Sequence, residues 1–420
     1  MRFQAPRGTQ DILPETSYLW RTIENLFIEI AERYGYHEIR TPMFEETELF
    51  VRSTGTTSDI VSKEMYTFLD KSNRSLTLKP EGTAGVARAL IEHGLAISGQ
   101  LRRLWYITPN FRYDRPQKGR YRQFHQAGLE LIGSTSAFAD LEIIEMTYHF
   151  YKALGLDNIT VYLNSLGNSE SKVHFAEAIL KHANSFLKSQ STEAQEKAQK
   201  NPLRLLDSKD SEIIEMMTDA PSILNFIDQV SKKHFEELKK LLTEATIPYQ
   251  VNSKIVRGLD YYTSTVFEVQ TEHLGAQNAL CGGGRYDNLV KELDGPNLPC
   301  VGVGIGIERA LLINPPLLQQ TLEPRLDFFV ISATESAQKS SRLLVRKLRN
   351  LNFSVNFDLD QKSLKSQIKQ ADRLRSRFAI LLGEDEMQNE CFTLKNLETG
   401  EQKSIKMNEV LSLKDYLIPL

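Results

Sequence analysis

Apolar residues recur at helical spacing over 17–34, where Leu19, Ile23, Leu26, Phe27 and Ile30 fall on one face. The next run, HEIRTPMF, has the composition of a strand ended by Pro42. Another strand is expected over 74–80, followed by a helix over 83–93 that opens at Pro80-Glu81-Gly82-Thr83. Two long polar-aromatic strands, LRRLWYITPNFRYD and YRQFHQAGLELIG, flank a loop at Arg115-Pro-Gln-Lys-Gly119. Helical spacing returns over 138–155, and NITVYLN is a strand.

From 168 to 245 the chain turns rich in Lys, Glu, Ser and Ala, with helical spacing such as Phe235, Leu238, Leu241 and Leu242. Few strand signals occur there, which predicts a helical insertion. Strands resume at 248–256, 265–271 and 300–306, with glycine-rich joints at 282–284. Pro315, Pro316 and Pro324 mark a boundary. Beyond it come a strand (DFFVIS), a helix (337–351), a strand (FSVNF), a helix (362–375) and a strand (FAILLG). That alternation predicts a separate α/β domain with a largely parallel sheet. The expected division is a core of 1–167 and 246–321, an insertion of 168–245, and a last domain of 322–420.

Composition narrows the function. The 420 residues carry 51 Lys+Arg against 54 Asp+Glu, a net charge of −3, with 41% hydrophobic residues. Such a chain is neither disordered nor a global basic coat for nucleic acid, so any nucleic-acid site is a local patch. The start, MRFQAPRGTQDILPE, has no apolar signal core. No apolar run approaches the ~18 residues of a membrane helix; Leu298 to Ile307 is short and glycine-rich. Cys281, Cys300 and Cys391 form no C-x-x-C, and the histidines form no H-E-x-x-H. The expectation is a cytoplasmic, reduced chain without membrane contact or structural zinc.

Four segments carry candidate chemistry. In FRYDRPQKGRYRQFHQ, Arg112, Arg115, Lys118, Arg120 and Arg122 stand against one acid, Asp114. Strand alternation would put Arg120, Arg122, Phe124 and Gln126 on one face. Guanidiniums beside a ring suit a nucleotide, with forks for phosphate and a platform for the base; a solvated basic hairpin explains the composition as well. Arg257-Gly258-Leu259-Asp260-Tyr261-Tyr262 offers a polar pocket wall, or an ordinary turn with packed tyrosines. Gly282-Gly283-Gly284-Arg285-Tyr286-Asp287 precedes Gly302, Gly304 and Gly306, whose G-x-G-x-G spacing is not a dinucleotide fingerprint. Alternating glycines leave one strand face bare for a flat group, or simply allow close packing. Arg309 would open the next helix, where anions are favoured. Finally, Glu81, Thr83, Gln126 and Glu130 can accept hydrogen bonds, and Glu130 lies in an apolar stretch. Together Arg112, Arg257 and Arg309 suggest a triphosphate clamp on an antiparallel sheet, in a chain with no P-loop sequence.

The segments PRGTQDILP, LKPEGTAG, FRYDRPQKGRYRQFHQ, VRGLDYYTSTVFE, GGGRYD and GVGIGIER, in this order, closely resemble the bacterial-type histidyl-tRNA synthetases of class II. The resemblance spans essentially the whole chain. It implies an α+β fold: an antiparallel sheet with flanking helices, a helical insertion and a C-terminal α/β anticodon-binding domain. It implies ATP-dependent ligation of L-histidine to tRNA-His through a histidyl-adenylate, by a homodimer whose dimer-forming segment matches the helix and strand ending at Pro42. Carried over by position, Arg257 is the catalytic cation, and Arg112 holds the α-phosphate and carboxylate. Arg120 and Arg309 grip the outer phosphates, and Phe124 stacks on adenine. Glu81, Gly82, Thr83, Gln126, Glu130, Tyr261, Tyr262 and Tyr286 form the histidine pocket. Mg²⁺ is implied as the counter-ion of ATP, not as a caged metal. Lys79 stands where arginine is usual and Asp114 where glutamate is usual. The rival readings are a regulatory subunit of ATP phosphoribosyltransferase and a tRNA-binding accessory protein. The first lacks the RGLDYY segment and the last domain, and the second predicts lost clamp arginines; neither loss occurs here.

Overall fold

A computed structural model describes residues 3–55, 58–208, 210–256, 259–271 and 279–416. They divide into two compact units, Met1–Thr321 and Leu322–Leu420. Among them no helix is long and apolar enough to cross a membrane.

The first unit is built on an eight-stranded sheet. Its order is His37–Glu38, Arg102–Phe111, Gln123–Ile132, Cys300–Gly306, Ala279–Arg285, Thr265–Thr271, Ile159–Ser165 and Tyr249–Val251. The two short edge strands pair parallel and the six between them antiparallel. The helix Pro14–Arg33 buries Trp20, Ile23, Phe27, Ile30 and Ala31. It starts before residue 17 because proline is accommodated in a first turn, where its missing N–H is not needed. The helices Ala137–Ala153 and Gln229–Glu244 share its core with the inward residues of the sheet.

Two local expectations are corrected. HEIRTPMF is not one strand: His37–Glu38 joins the large sheet, whereas Phe44–Glu46 joins a three-stranded sheet with Tyr66–Leu69 and Ser75–Leu78. Pro42, lacking an N–H, falls in the gap between them. Glycines 282–284 are not a joint but lie inside the strand Ala279–Arg285. A Cβ at Gly283 would fall 2.3 Å from the Gly302 carbonyl oxygen and 2.7 Å from the Phe267 ring, so only glycine lets these strands close up. The segment 168–245 is helical, with Asn168, Ser191, Asp210 and Asp228 capping successive helices through their side chains. Its last helix, however, packs Phe235, Leu238, Leu241 and Leu242 into the main core.

The second unit has a five-stranded sheet in the order Val355–Phe357, Phe328–Ser332, Phe378–Leu382, Cys391–Asn396, Gln402–Lys406. The first three strands run parallel, as the alternating pattern requires, and the last two add an antiparallel hairpin that the pattern did not announce. The helix Leu364–Arg373 stops before Arg377, so Lys365, Lys369 and Arg373 keep a helical spacing that Arg377 does not continue. Its buried residues are Gln367 and Ala371, while Leu364 and Ile368 remain exposed.

Candidate functional site

A cavity of about 490 Å³ opens on one face of the large sheet. Strand register builds its floor. Tyr106 stands opposite Gly128, which pairs with Gly304, then Gly282, then Glu268. A neighbouring row sets Thr108 beside Gln126 and Gly306. A third sets Glu130 beside Gly302 and Gly284. Three adjacent strands thus present backbone where side chains would otherwise stand, and a flat ligand can lie against them.

One wall is the start of the helix Thr83–Glu92. Glu81 is buried and accepts from the Thr83 amide at 2.6 Å and the Ala84 amide at 2.8 Å, capping that helix. Burial raises its pKa, against the pull of those amides. Gly82 approaches the ring of Tyr106 so closely that a Cβ would fall 2.5 Å from it. Gln126 accepts from Asn110 Nδ2 at 2.6 Å, leaving its own N–H groups for the cavity side. Tyr261 and Tyr262 are buried, with ring centroids 4.8 Å apart.

Glu130 and Tyr286 are placed differently from the rest of the expected histidine set. Neither lines the cavity, whereas Glu81, Gly82, Thr83, Gln126, Tyr261 and Tyr262 do. Glu130 is buried just behind the wall, accepting from the Thr83 hydroxyl at 2.8 Å, the Tyr106 hydroxyl at 3.1 Å and the Tyr286 hydroxyl. Burial raises its pKa to about 8. Those bonds join Glu130 to Thr83 and Tyr106, which line the cavity.

The other wall is cationic. Arg112 donates from Nε to the Pro80 carbonyl at 2.8 Å, and its guanidinium lies 5.3 Å from the centre of the Phe124 ring. Desolvation lowers its pKa, and the nearby carboxylates of Glu64 and Glu81 oppose that. Arg120 pairs with Asp114 at 2.9 Å. Arg309, from the helix Ile307–Ile313, donates to the Ala279 carbonyl at 2.5 Å. The second long strand begins only at Gln123, so Arg120 and Arg122 do not share the alternation of Phe124 and Gln126. Arg122 stands over the ring of Tyr113 at 3.9 Å and is not part of the lining. Arg257 and Gly258 lie outside the described residues.

Several lining residues escaped the sequence reading. Tyr106 could have been found from register, since a large ring opposite a glycine fills the glycine's space. Glu308, beside Arg309, accepts from the His125 amide at 2.9 and 3.0 Å and from His125 Nδ1 at 2.9 Å. Backbone pairing between these strands ends at Gly306 and Gln126, and the Glu308 carboxylate takes over the next amide. Asp59, Glu64 and Arg204 also line the cavity. None of the three belongs to a motif, and Arg204 stands among leucines. No cluster of three or more potential metal-ligating side chains occurs among the described residues. The whole arrangement can hold a polyanion against arginines, a flat ring near Phe124, and a small zwitterion by Glu81.

Residues 8–310 match the family model for histidyl-tRNA synthetase. Residues 327–413 match that of an anticodon binding domain. A histidine–tRNA ligase of Cyanothece sp. is 46% identical over 416 residues, covering 99% of this chain and 96% of its own. Another, from Listeria innocua serovar 6a, is 45% identical over 420 residues and covers 98% of each. The crystal structure of apo S. aureus histidyl-tRNA synthetase superposes with a TM-score of 0.82 at 37% identity, over 99% of both chains. That of a histidyl-tRNA synthetase from Nostoc sp. gives 0.70 at 21% identity, over 99% of this chain and 100% of its own, a likeness of fold alone.

Proposed function

The chain belongs to the histidyl-tRNA synthetase family, class II enzymes that charge tRNA-His with L-histidine, and from that premise we propose that the glycine-floored cavity holds ATP and histidine side by side. The observation that carries this is the meeting of Arg112, Arg120, Arg309 and Phe124 with Glu81 and Thr83 around one space, from segments far apart in the chain.

Phe124 stacks on adenine, and Arg120 and Arg309 take the outer phosphates. Arg120 must then leave Asp114, an exchange of one anion for another. Arg112 holds the α-phosphate and the histidine carboxylate. Arg257, assigned by its place in RGLDYY, supplies the second positive charge there. Glu81 receives the α-ammonium, since each carboxylate oxygen keeps a lone pair beyond its amide donor. Gln126, Tyr261 and Tyr262 bound the imidazole, while Glu130 and Tyr286 orient Thr83 from behind.

The histidine carboxylate attacks the α-phosphorus, the bond to the bridging oxygen breaks, and pyrophosphate leaves. Charge grows on the α-phosphoryl oxygens, and the fixed guanidiniums stabilise it without reorganising. The terminal ribose hydroxyl of tRNA then attacks the acyl carbon of the adenylate, and AMP leaves. Mg²⁺ would arrive on the nucleotide and neutralise part of the triphosphate charge. The carboxylates of Glu64 and Asp114 line the cavity, where they would face such an ion.

The homodimer is supported by the three-stranded sheet, where Phe44 and Phe68 meet edge-on at 6.3 Å and, with Met43 and Leu69, stay exposed. The cytoplasm, where charged tRNA is used, is the location that goes with this reading. The test is isotope exchange between pyrophosphate and ATP. Exchange that requires histidine, together with histidylation of tRNA-His, is the expected result. Exchange with no amino-acid dependence, or none at all, overturns the proposal.

A further inference from the structure

One cation in the cavity comes from outside the sheet and its flanking loops. Arg204 lies on the short 3-10 turn Pro202–Asp207 of the helical segment. Leu203, Leu205 and Leu206 of the same turn pack into the apolar cluster that contains Phe175 and Ile179. That packing fixes the turn and leaves Arg204 among the cavity-lining residues. There it forms an ion pair with Asp59, just ahead of the π-helical turn Ile60–Glu64.

Exposure alone does not set Arg204 apart: its side chain is 32% exposed and that of its partner Asp59 55%, against 40% for Arg120. Its distinction is its place, on the helical segment rather than on the sheet or the loop that carries Arg120. The small substrates are already provided for by Arg112, Arg309 and the Glu81 loop. A guanidinium offered from the helical segment is left for what enters last and remains partly outside. In this reaction that is the 3′ end of the RNA, whose phosphodiesters are natural partners for an arginine fork.

We propose that Arg204 binds a phosphodiester near the 3′ end of tRNA during the transfer step, and that Asp59 is its internal competitor, occupying it until RNA arrives. This rests on the tRNA-charging reading above. A half-exposed ion pair is weak, so a phosphate can displace the carboxylate. Asp59 also lies 4.0 Å from Lys63, which can take up the released negative charge.

The two partners then have opposite effects, and this separates the proposal from a merely structural bridge. Charging by the full-length protein would be measured with Arg204→Ala, Arg204→Lys and Asp59→Asn. Arg204→Ala should raise KM for tRNA-His about tenfold, and far more than KM for ATP or histidine in pyrophosphate exchange. Arg204→Lys should recover part of that loss. Asp59→Asn should lower KM for tRNA by a factor of a few, because the arginine is released. The slope of log(kcat/KM) for tRNA against log[salt] should shrink by ~0.7–0.9 in Arg204→Ala, the loss of one phosphate contact. The proposal is overturned if both single variants weaken tRNA use alike, if exchange suffers as much as charging, or if the salt slope is unchanged. Failure of the underlying reading would look different: the wild-type protein would not charge tRNA-His at all.

Discussion

Glu130 accepts hydrogen bonds from Thr83, Tyr106 and Tyr286, and burial holds its pKa at about 8. Since an unfolded glutamate titrates near 4.5, the folded protein retains a proton that the unfolded chain has lost. Its stabilising contribution is complete below that lower value and is lost as pH rises through 8. Glu130→Gln, which mimics the protonated form, should therefore unfold at a Tm closer to constant between pH 5 and 8.5 than wild type. The difference has an upper bound of ~5 kcal/mol, from ~1.4 kcal/mol per pKa unit. Parallel Tm–pH curves for the two proteins would contradict this. KM for histidine should rise in the variant while KM for ATP stays close to wild type. Lys79 has the opposite slope. Burial lowers its pKa from 10.5 to about 8, against the pull of the Glu45 and Glu81 carboxylates, and its ammonium donates to Thr41 at 3.3 and 3.4 Å. The stability linked to this proton is full above 10.5 and lost as pH falls through 8. Lys79→Met should thus raise Tm at pH 7, with a margin that shrinks toward pH 10. An arginine, the usual residue here, could not shed its proton. For Arg257, assigned by resemblance and outside the described residues, alanine should lower kcat for adenylation by ~10²–10³ with smaller changes in KM. A near-normal kcat with raised KM would remove it from the catalytic step.

The strand pair Gln123–Ile132 and Cys300–Gly306 is the element on which the floor depends. A Cβ at Gly302 would fall 2.0 Å from Glu130 Oε2 and 2.6 Å from the Leu129 carbonyl oxygen. Gly302→Ala should cost ~1–3 kcal/mol of stability by overpacking, and it should raise KM for histidine because Glu130 must move. Thermal unfolding and exchange kinetics measure both, and an unaffected variant would show that the strands can spread. This element was legible in advance, since both strands alternate along their length and the glycines repeat every second residue. The helix over 138–155 was legible from its spacing, and that over 83–93 from the Pro80-Glu81-Gly82-Thr83 that opens it. What failed were places where tertiary pairing outweighs local pattern. HEIRTPMF is divided between two sheets, and glycines that resemble a turn pair from Gly282 to Gly284 across Gly304 to Gly302. The hairpin Cys391–Lys406 is polar enough to pass for loop. In the site, arginines beside glycine or aromatic residues were recognisable because the local sequence carries their chemistry. Asp59, Glu64 and Arg204 were not, because only folding brings them together. Glu130 was recognised as special from its apolar neighbours, but sequence could not show its hydrogen bonds to Thr83, Tyr106 and Tyr286.

At the scale of the molecule, each of the two units has its own apolar core, Phe328, Val330, Leu344 and Ile380 among the residues of the second. Removing the chain from residue 322 should therefore leave histidine-dependent exchange largely intact while charging of tRNA-His collapses. Equal loss of both would show that the first unit needs the second for its own stability. The manner of the collapse follows from the boundary at Thr321 and Leu322. An anticodon-binding unit tethered to an acylating unit makes the enzyme a bivalent ligand for one RNA. Once the anticodon is held, the acceptor end meets the cavity at an effective concentration set by the tether rather than by the tRNA in solution. Cutting the tether should then appear almost wholly in KM, so that a large excess of tRNA restores the rate. The isolated second unit, added back as a separate chain, should compete for the RNA instead of rescuing the reaction.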